Sequence, residues 1–206
     1  MARTLFATLL VLLTCLAAAY SATGGFQDWT TEAARRAAIA RRPLALPATP
    51  LQFADGSRAR LDQWLAPPRP ATIVGFIYTR CNSLCTILGD EFQQLQTEIT
   101  ARGLQGKVRL LSISFDPRHD TPANLAGYAE RMHADPAVWQ LATVSDPAAL
   151  QAVLDRFGIV VISDGMGGYV HNAALHVVDR QARLAAIEEL GAGRQALARA
   201  LAPEAQ

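Results

Sequence analysis

The chain has 206 residues, half of them hydrophobic, and a formal net charge of +1. That length suits one ordinary domain plus a leader. The near-neutral balance excludes a partner chosen by bulk charge, so no nucleic-acid role is expected.

The N-terminus reads as a targeting segment. Arg3 supplies the positive end, Leu5 to Ala19 is almost unbroken in apolar residues, and Ala19-Tyr20-Ser21 has the form of a cleavage site. Residues 1–21 are therefore expected to be a signal peptide or an N-terminal membrane anchor, although the apolar run is short for a span. Leu12-Leu13-Thr14-Cys15 fits a lipoprotein cleavage site poorly, because threonine precedes the cysteine and the apolar run continues past it. Residues 22–49 read as a linker holding a short helix over Thr31 to Arg41, broken by Pro43 and Pro47. Residues 50–203 read as the folded domain.

That domain opens with a hairpin over Leu51 to Leu61, turned at Asp55-Gly56. Thr72 to Tyr78 is a continuous apolar run, as in a strand buried on both faces. Cys81 and Cys85 follow, then a helix whose apolar stripe is Leu88, Phe92, Leu95 and Ile99. Val108 to Phe115 is a second buried strand. Thr121-Pro122 and Asp146-Pro147 each combine a good N-cap with proline in the first turn, so each starts a helix. Gln140 to Val144 is a short strand between those helices. Ile159 to Ile162 and Tyr169-Val170 flank a glycine-rich tip, Leu175 to Val178 is a further strand, and Gly191 to Leu201 is a last helix. Strands alternating with helices give an α/β sheet with parallel pairs joined by crossover helices. A cysteine pair where the first buried strand meets its helix points, by fold analogy, to the thioredoxin-like version.

Export changes how the cysteines read. Without the leader and its Cys15, only Cys81 and Cys85 remain. In an oxidising compartment such a pair forms a disulfide unless it is reduced or metal-bound. So local a loop gains little from a structural bridge. Near a helix start the spacing turns both sulfurs toward one side, and unpaired amides there favour thiolate, with Arg80 adding to the effect. Redox pairs usually enclose two residues; here Asn82, Ser83 and Leu84 make three. Two thiolates suit a soft ion, Cu(I) above all, or zinc, but zinc wants four ligands in a closed site whereas Cu(I) accepts two or three. Reading the pair merely as two small hydrophobes sits badly with a loop-to-helix junction.

A third donor should be histidine or methionine. His171 stands in a loop just before the strand Leu175 to Val178, whose start lies beside the cysteine loop in a thioredoxin-like sheet. Redox thioredoxins carry a cis-proline there, and this chain has no proline between Pro147 and Pro203. His176, inside the strand, reads as structural; His119 and His133 read as solvated surface residues, and Met166 as a loop methionine.

These features together resemble the Sco/SenC family of copper proteins. The resemblance runs from about Leu51 to Leu184. Its pieces are Asp55-Gly56, Phe76-Ile77-Tyr78-Thr79-Arg80-Cys81 with Cys85, Ser114 through Pro122, Ala134-Asp135-Pro136, and His171 ahead of Leu175-His176-Val177-Val178-Asp179. It implies a thioredoxin-like fold with an added N-terminal β-hairpin, exported and periplasmic or tethered to the inner membrane facing the periplasm. It implies one copper, Cu(I) or Cu(II), held by Cys81, Cys85 and His171. It also implies a part in building the dinuclear copper centre of cytochrome c oxidase, with that oxidase's copper-centre subunit and an upstream copper donor as partners; a monomer is expected. Some members are associated with thiol reduction of that centre or with redox defence, for which Cys81 and Cys85 would be the catalytic pair and could close a disulfide. Asn82 and Thr86 stand where members commonly carry proline, and the turn Asp179 to Ala182 lacks the usual glycine. Two functions thus compete: a chaperone that needs His171, and a thiol–disulfide oxidoreductase that does not. A peroxidase is a weaker third.

Overall fold

The computed structural model describes residues 1–22, 25, 30–81 and 84–203, with side chains for all of these except Ala22, Leu84 and Cys85. The chain divides into two units, Met1–Arg42 and Pro43–Gln206.

In the first unit, helix α1 spans Ala2–Ala22. It outruns the apolar stretch Leu5 to Ala19, and by length and composition Ala2–Ser21 is long and apolar enough to cross a membrane. Helix α2, Thr31–Arg41, matches the expected span. Thr30 caps it, its hydroxyl accepting the Ala33 N–H at 3.0 Å, and Glu32 pairs with Arg36 one turn on.

The second unit runs β1 (Leu44–Ala45), β2 (Pro50–Phe53), β3 (Arg58–Arg60), α3 (Leu61–Leu65), β4 (Ala71–Ile77) and α4 (Leu84–Ala101). It continues β5 (Val108–Ser114), α5 (Pro122–Arg131), β6 (Trp139–Val144), α6 (Pro147–Phe157), β7 (Val161–Ser163), β8 (Tyr169–His171), β9 (Ala174–Val178), β10 (Arg183–Glu189) and α7 (Gly193–Leu201). Eight strands form one sheet in the order β1-β10-β9-β4-β5-β6-β2-β3, and β7 and β8 make a two-stranded sheet of their own. Strand β1 falls within residues 22–49, the stretch read from sequence as a linker.

The centre β4-β5-β6 is parallel, with α4 and α5 as its crossovers. Every residue of β4 and β5 is buried, so neither strand alternates between a core and a solvent face, and β5 buries Arg109, Ser112 and Ser114 along with its apolar residues. On the outside, β9 and β10 add antiparallel beside β4, and β2 and β3 add antiparallel beside β6. Strands β2 and β3 pair with each other, and the Asp55 carboxylate closes their turn by accepting the Ser57 N–H and hydroxyl.

Helix α4 lays its stripe of Leu88, Phe92, Leu95 and Ile99 onto the sheet, all four buried. The contact is close because β4 carries Gly75. A Cβ there would come within 3.0 Å of both Leu88 and Phe92. Thr121 and Asp146 cap α5 and α6 through their side chains, as their sequences predict. Gly158 ends α6 in the left-handed conformation.

Candidate metal centre

Strand β4 ends at Ile77, and a turn then carries the chain to Cys81, whose N–H donates to the Tyr78 carbonyl at 3.2 Å. Two buried aspartates from the loop after β5 grip this turn. Asp120, with no solvent exposure, accepts the Thr79 N–H at 2.9 Å and the Thr79 hydroxyl at 2.6 Å. Asp116 accepts Arg80 at 3.0 Å and lies 2.9 Å from His119 Nδ1. The Arg80 guanidinium is thus engaged by a carboxylate, where the sequence alone assigned it to the thiolates. His119 is likewise not merely solvated.

Cys81 itself is buried, 8 % exposed. Cys85 is the second residue of α4, in its first turn. Its side chain, like Asn82 and Ser83, lies outside the described residues. Among the described residues no group of three or more His, Cys, Asp or Glu could hold a metal ion. What can be read directly is how Cys81 and His171 relate.

His171 is the last residue of β8 rather than part of a loop. The pairs Val161↔His171 and Ile162↔Val170 extend the hairpin to it, beyond the residues whose pattern predicts a strand. Aromatic rings wall the imidazole. Phe115 lies edge-on at 4.9 Å between centroids and Tyr78 at 6.1 Å. Tyr169 packs edge-on against both Tyr78, at 5.3 Å, and Phe115, at 5.6 Å. Tyr78 is therefore the shared neighbour: its carbonyl fixes Cys81 and its ring backs His171.

The tautomer of His171 follows from its contact. Nδ1 is 2.9 Å from the Asn172 carbonyl, and a carbonyl only accepts, so Nδ1 carries the hydrogen. The neutral ring then has its lone pair on Nε2, the form a metal needs. Burial pushes the His171 pKa below its ordinary value, against the opposing pull of the Asn172 hydrogen bond. Asn172 is itself tied down. Its side-chain oxygen accepts the Val160 N–H at 2.7 Å and its amide donates to the Gly158 carbonyl at 2.9 Å.

The hairpin tip folds back toward the cysteine turn. Asp164 accepts the N–H groups of Met166 and Gly168 at 2.8 and 2.9 Å, which hold its carboxyl below the usual range. At Gly168 a Cβ would meet the Asp164 carboxylate at 2.5 Å, so a larger residue there would push that carboxylate aside. At Gly167 a Cβ would lie 3.9 Å from Arg80. Met166 is almost fully exposed at this tip.

His176 is buried and structural, as its place in the strand predicts. Its two ring nitrogens lie 3.3 and 3.0 Å from the carbonyls of Val74 and Phe157. His133 stays exposed near the end of α5. The sequence does not disclose the aromatic wall, Asn172 or the two aspartate grips; Asp116 and Asp120 are visible in it only as members of a turn motif.

The donors on hand are thus a buried cysteine at a strand–helix junction and a neutral imidazole with a fixed tautomer. Sulfur and imidazole nitrogen together fit a soft or borderline ion such as copper and suit a hard cation poorly.

The sequence profile described as SCO1/SenC matches residues 69–206. A curated relative, the SCO1 protein homolog of Bacillus subtilis (strain 168), is 25 % identical over 145 residues, covering 66 % of this chain and 70 % of the relative. Among solved structures, a SCO1/SenC family lipoprotein from Bacillus anthracis superposes with a TM-score of 0.62 at 20 % identity, over 72 % of this chain and 86 % of that one. Bradyrhizobium japonicum ScoI, solved with copper bound, gives 0.57 at 22 % identity, over 76 % of this chain and 97 % of that one. The fold is the thioredoxin-like α/β fold of these proteins.

Proposed function

Because the chain belongs to the SCO1/SenC family, we propose that it binds copper as cargo through Cys81, Cys85 and His171 and delivers it in the assembly of the dinuclear copper centre of cytochrome c oxidase. The observation that carries the reading is the convergence on Tyr78. The Tyr78 carbonyl accepts the Cys81 N–H while its ring stands beside His171, 90 residues further on, a histidine whose tautomer leaves Nε2 as the donor. A pure thiol reductase has no use for such a ring.

In this reading the two thiolates supply the soft donors that retain Cu(I), and the imidazole completes a three-coordinate set. Transfer proceeds by ligand exchange: an incoming donor of the acceptor replaces one of the three before the others let go. Helix α1 acts as signal or anchor, setting the domain on the exported side of the membrane, next to a membrane-bound oxidase. The copper-centre subunit of that oxidase is the acceptor, and an upstream carrier is the donor.

The start of α4 also suits dithiol–disulfide exchange between Cys81 and Cys85, so reduction of the acceptor's cysteines is the competing role. Metal analysis separates them. The whole chain, reduced and loaded with Cu(I) in detergent, should hold one copper, and Cys81→Ser, Cys85→Ser and His171→Ala should each lose it. Copper retained in full by His171→Ala would overturn the proposed ligand set and favour the reductase.

A further inference from the structure

Asp120 belongs to no ligand set proposed for the copper, yet it is completely buried. It accepts three hydrogen bonds, two of them from hydroxyls and short. Besides the Thr79 N–H and hydroxyl, the Ser114 hydroxyl donates to Oδ2 at 2.5 Å. Ser114 is the last residue of β5, and its oxygen in turn accepts the Asp116 N–H at 3.0 Å. The carboxylate therefore links the end of one central strand to the turn that leaves its parallel neighbour. Burying a carboxylate is costly unless hydrogen bonds replace its water, and here three do.

That link acts directly on the cysteine turn. Cys81 lies two residues beyond Thr79, and its route back to the sheet is the turn held by the Tyr78 carbonyl and the Thr79 bonds. Hydrogen bonds from both the backbone and the side chain of one residue fix its rotation as well as its position.

We propose that Asp120 is the positioning residue of the cysteine turn: its carboxylate holds Cys81 buried and in place before any ligand arrives. This rests on Cys81 being a donor of the proposed copper site. Without the carboxylate the turn opens locally, Cys81 becomes accessible, and the donor set is no longer preorganised.

The test follows alkylation of Cys81 by iodoacetamide on the reduced, metal-free whole chain in detergent, with the Cys81 peptide quantified by mass spectrometry. Asp120→Asn should raise the Cys81 rate about tenfold or more, as expected for loss of hydrogen bonds to a buried charge. The rise should be insensitive to urea below the unfolding transition, because the opening is local; a merely structural loss would open the domain and make the rate climb steeply with urea. Thr79→Val, which removes a single hydroxyl, should give a smaller rise of the same urea-insensitive kind and serves if Asp120→Asn does not fold. A Cys81 rate within twofold of wild type in a folded variant, or a rise that tracks urea, overturns the proposal. Copper binding by the wild-type chain is scored separately. If wild type binds no copper while the alkylation result holds, the function fails and the positioning role stands.

Discussion

Replacing Gly75 by alanine adds one methyl where α4 lies nearest to β4. The new carbon would sit 3.0 Å from Leu88 Cδ2 and 3.0 Å from Phe92 Cζ, with Leu88 Cδ1 at 3.3 Å. Unstrained carbon contacts lie near 3.5–4.0 Å, so the overlap is about half an ångström at two atoms at once. Neither neighbour can swing away, since Leu88 is 1 % exposed and Phe92 0 %, and Phe92 is backed by Trp139 at 5.4 Å between centroids. Overpacking of this kind costs about 1–3 kcal/mol. Losing a glycine from a strand returns about 0.5–1 kcal/mol. The net is a destabilisation of up to about 2.5 kcal/mol and centred near 1 kcal/mol, which at the centre lowers Tm by about 2–4 °C for a domain of this size. Urea unfolding of wild type and Gly75→Ala, followed by tryptophan fluorescence and analysed at a common m-value, measures it. A midpoint equal to or above wild type would mean that α4 does not press on β4 at Gly75. The placement of the helix that begins with Leu84 and Cys85 would then be wrong.

Two further outcomes rest on single residues. Ala182 holds a positive φ of 59° in the turn before β10, where a Cβ is strained. Ala182→Gly should therefore stabilise the chain by about 0.5–1 kcal/mol in the same unfolding assay, and a loss of stability would refute the strained turn. The pKa of His171 is lowered from 6.5 in the fold, so the unfolded chain takes up the proton more readily. The ring's contribution to stability is thus complete above pH 6.5 and declines as pH falls through 6.5 toward the lower folded value. An NMR titration of the metal-free chain should place the His171 midpoint below 6.5, and a midpoint at or above it would contradict the burial described.

Much of the frame could be read in advance because its causes are local. Thr121-Pro122 and Asp146-Pro147 carry their cap and first-turn signals within two residues, and the α4 stripe repeats at helical spacing. The sheet's parallel centre followed from the near-continuous apolar run over Thr72 to Tyr78 and the second buried strand over Val108 to Phe115, joined by a crossover helix. The immediate surroundings of His171 could not be read this way. Strands β7 and β8 are three residues each and turn the apolar Ile162 and Val170 to solvent, so no apolar–polar alternation marks their inner face. Asp116 and Asp120 look like ordinary turn residues because burial and partners some forty positions away leave no local trace. The tautomer of His171 depends on one carbonyl that only a folded backbone can aim.

The imidazole and the cysteine turn are mounted differently. Cys81 leaves a rung of the eight-stranded ladder, whereas His171 rides on a separate two-stranded flap hinged where Asn172 is moored to the end of α6. Swinging that flap outward would break aromatic edge contacts and the long hydrogen bonds of Tyr169 to the Tyr78 hydroxyl and Asp116, but no rung of the main ladder. In the ligand set proposed above, the imidazole would therefore be the donor whose release disturbs the main sheet least.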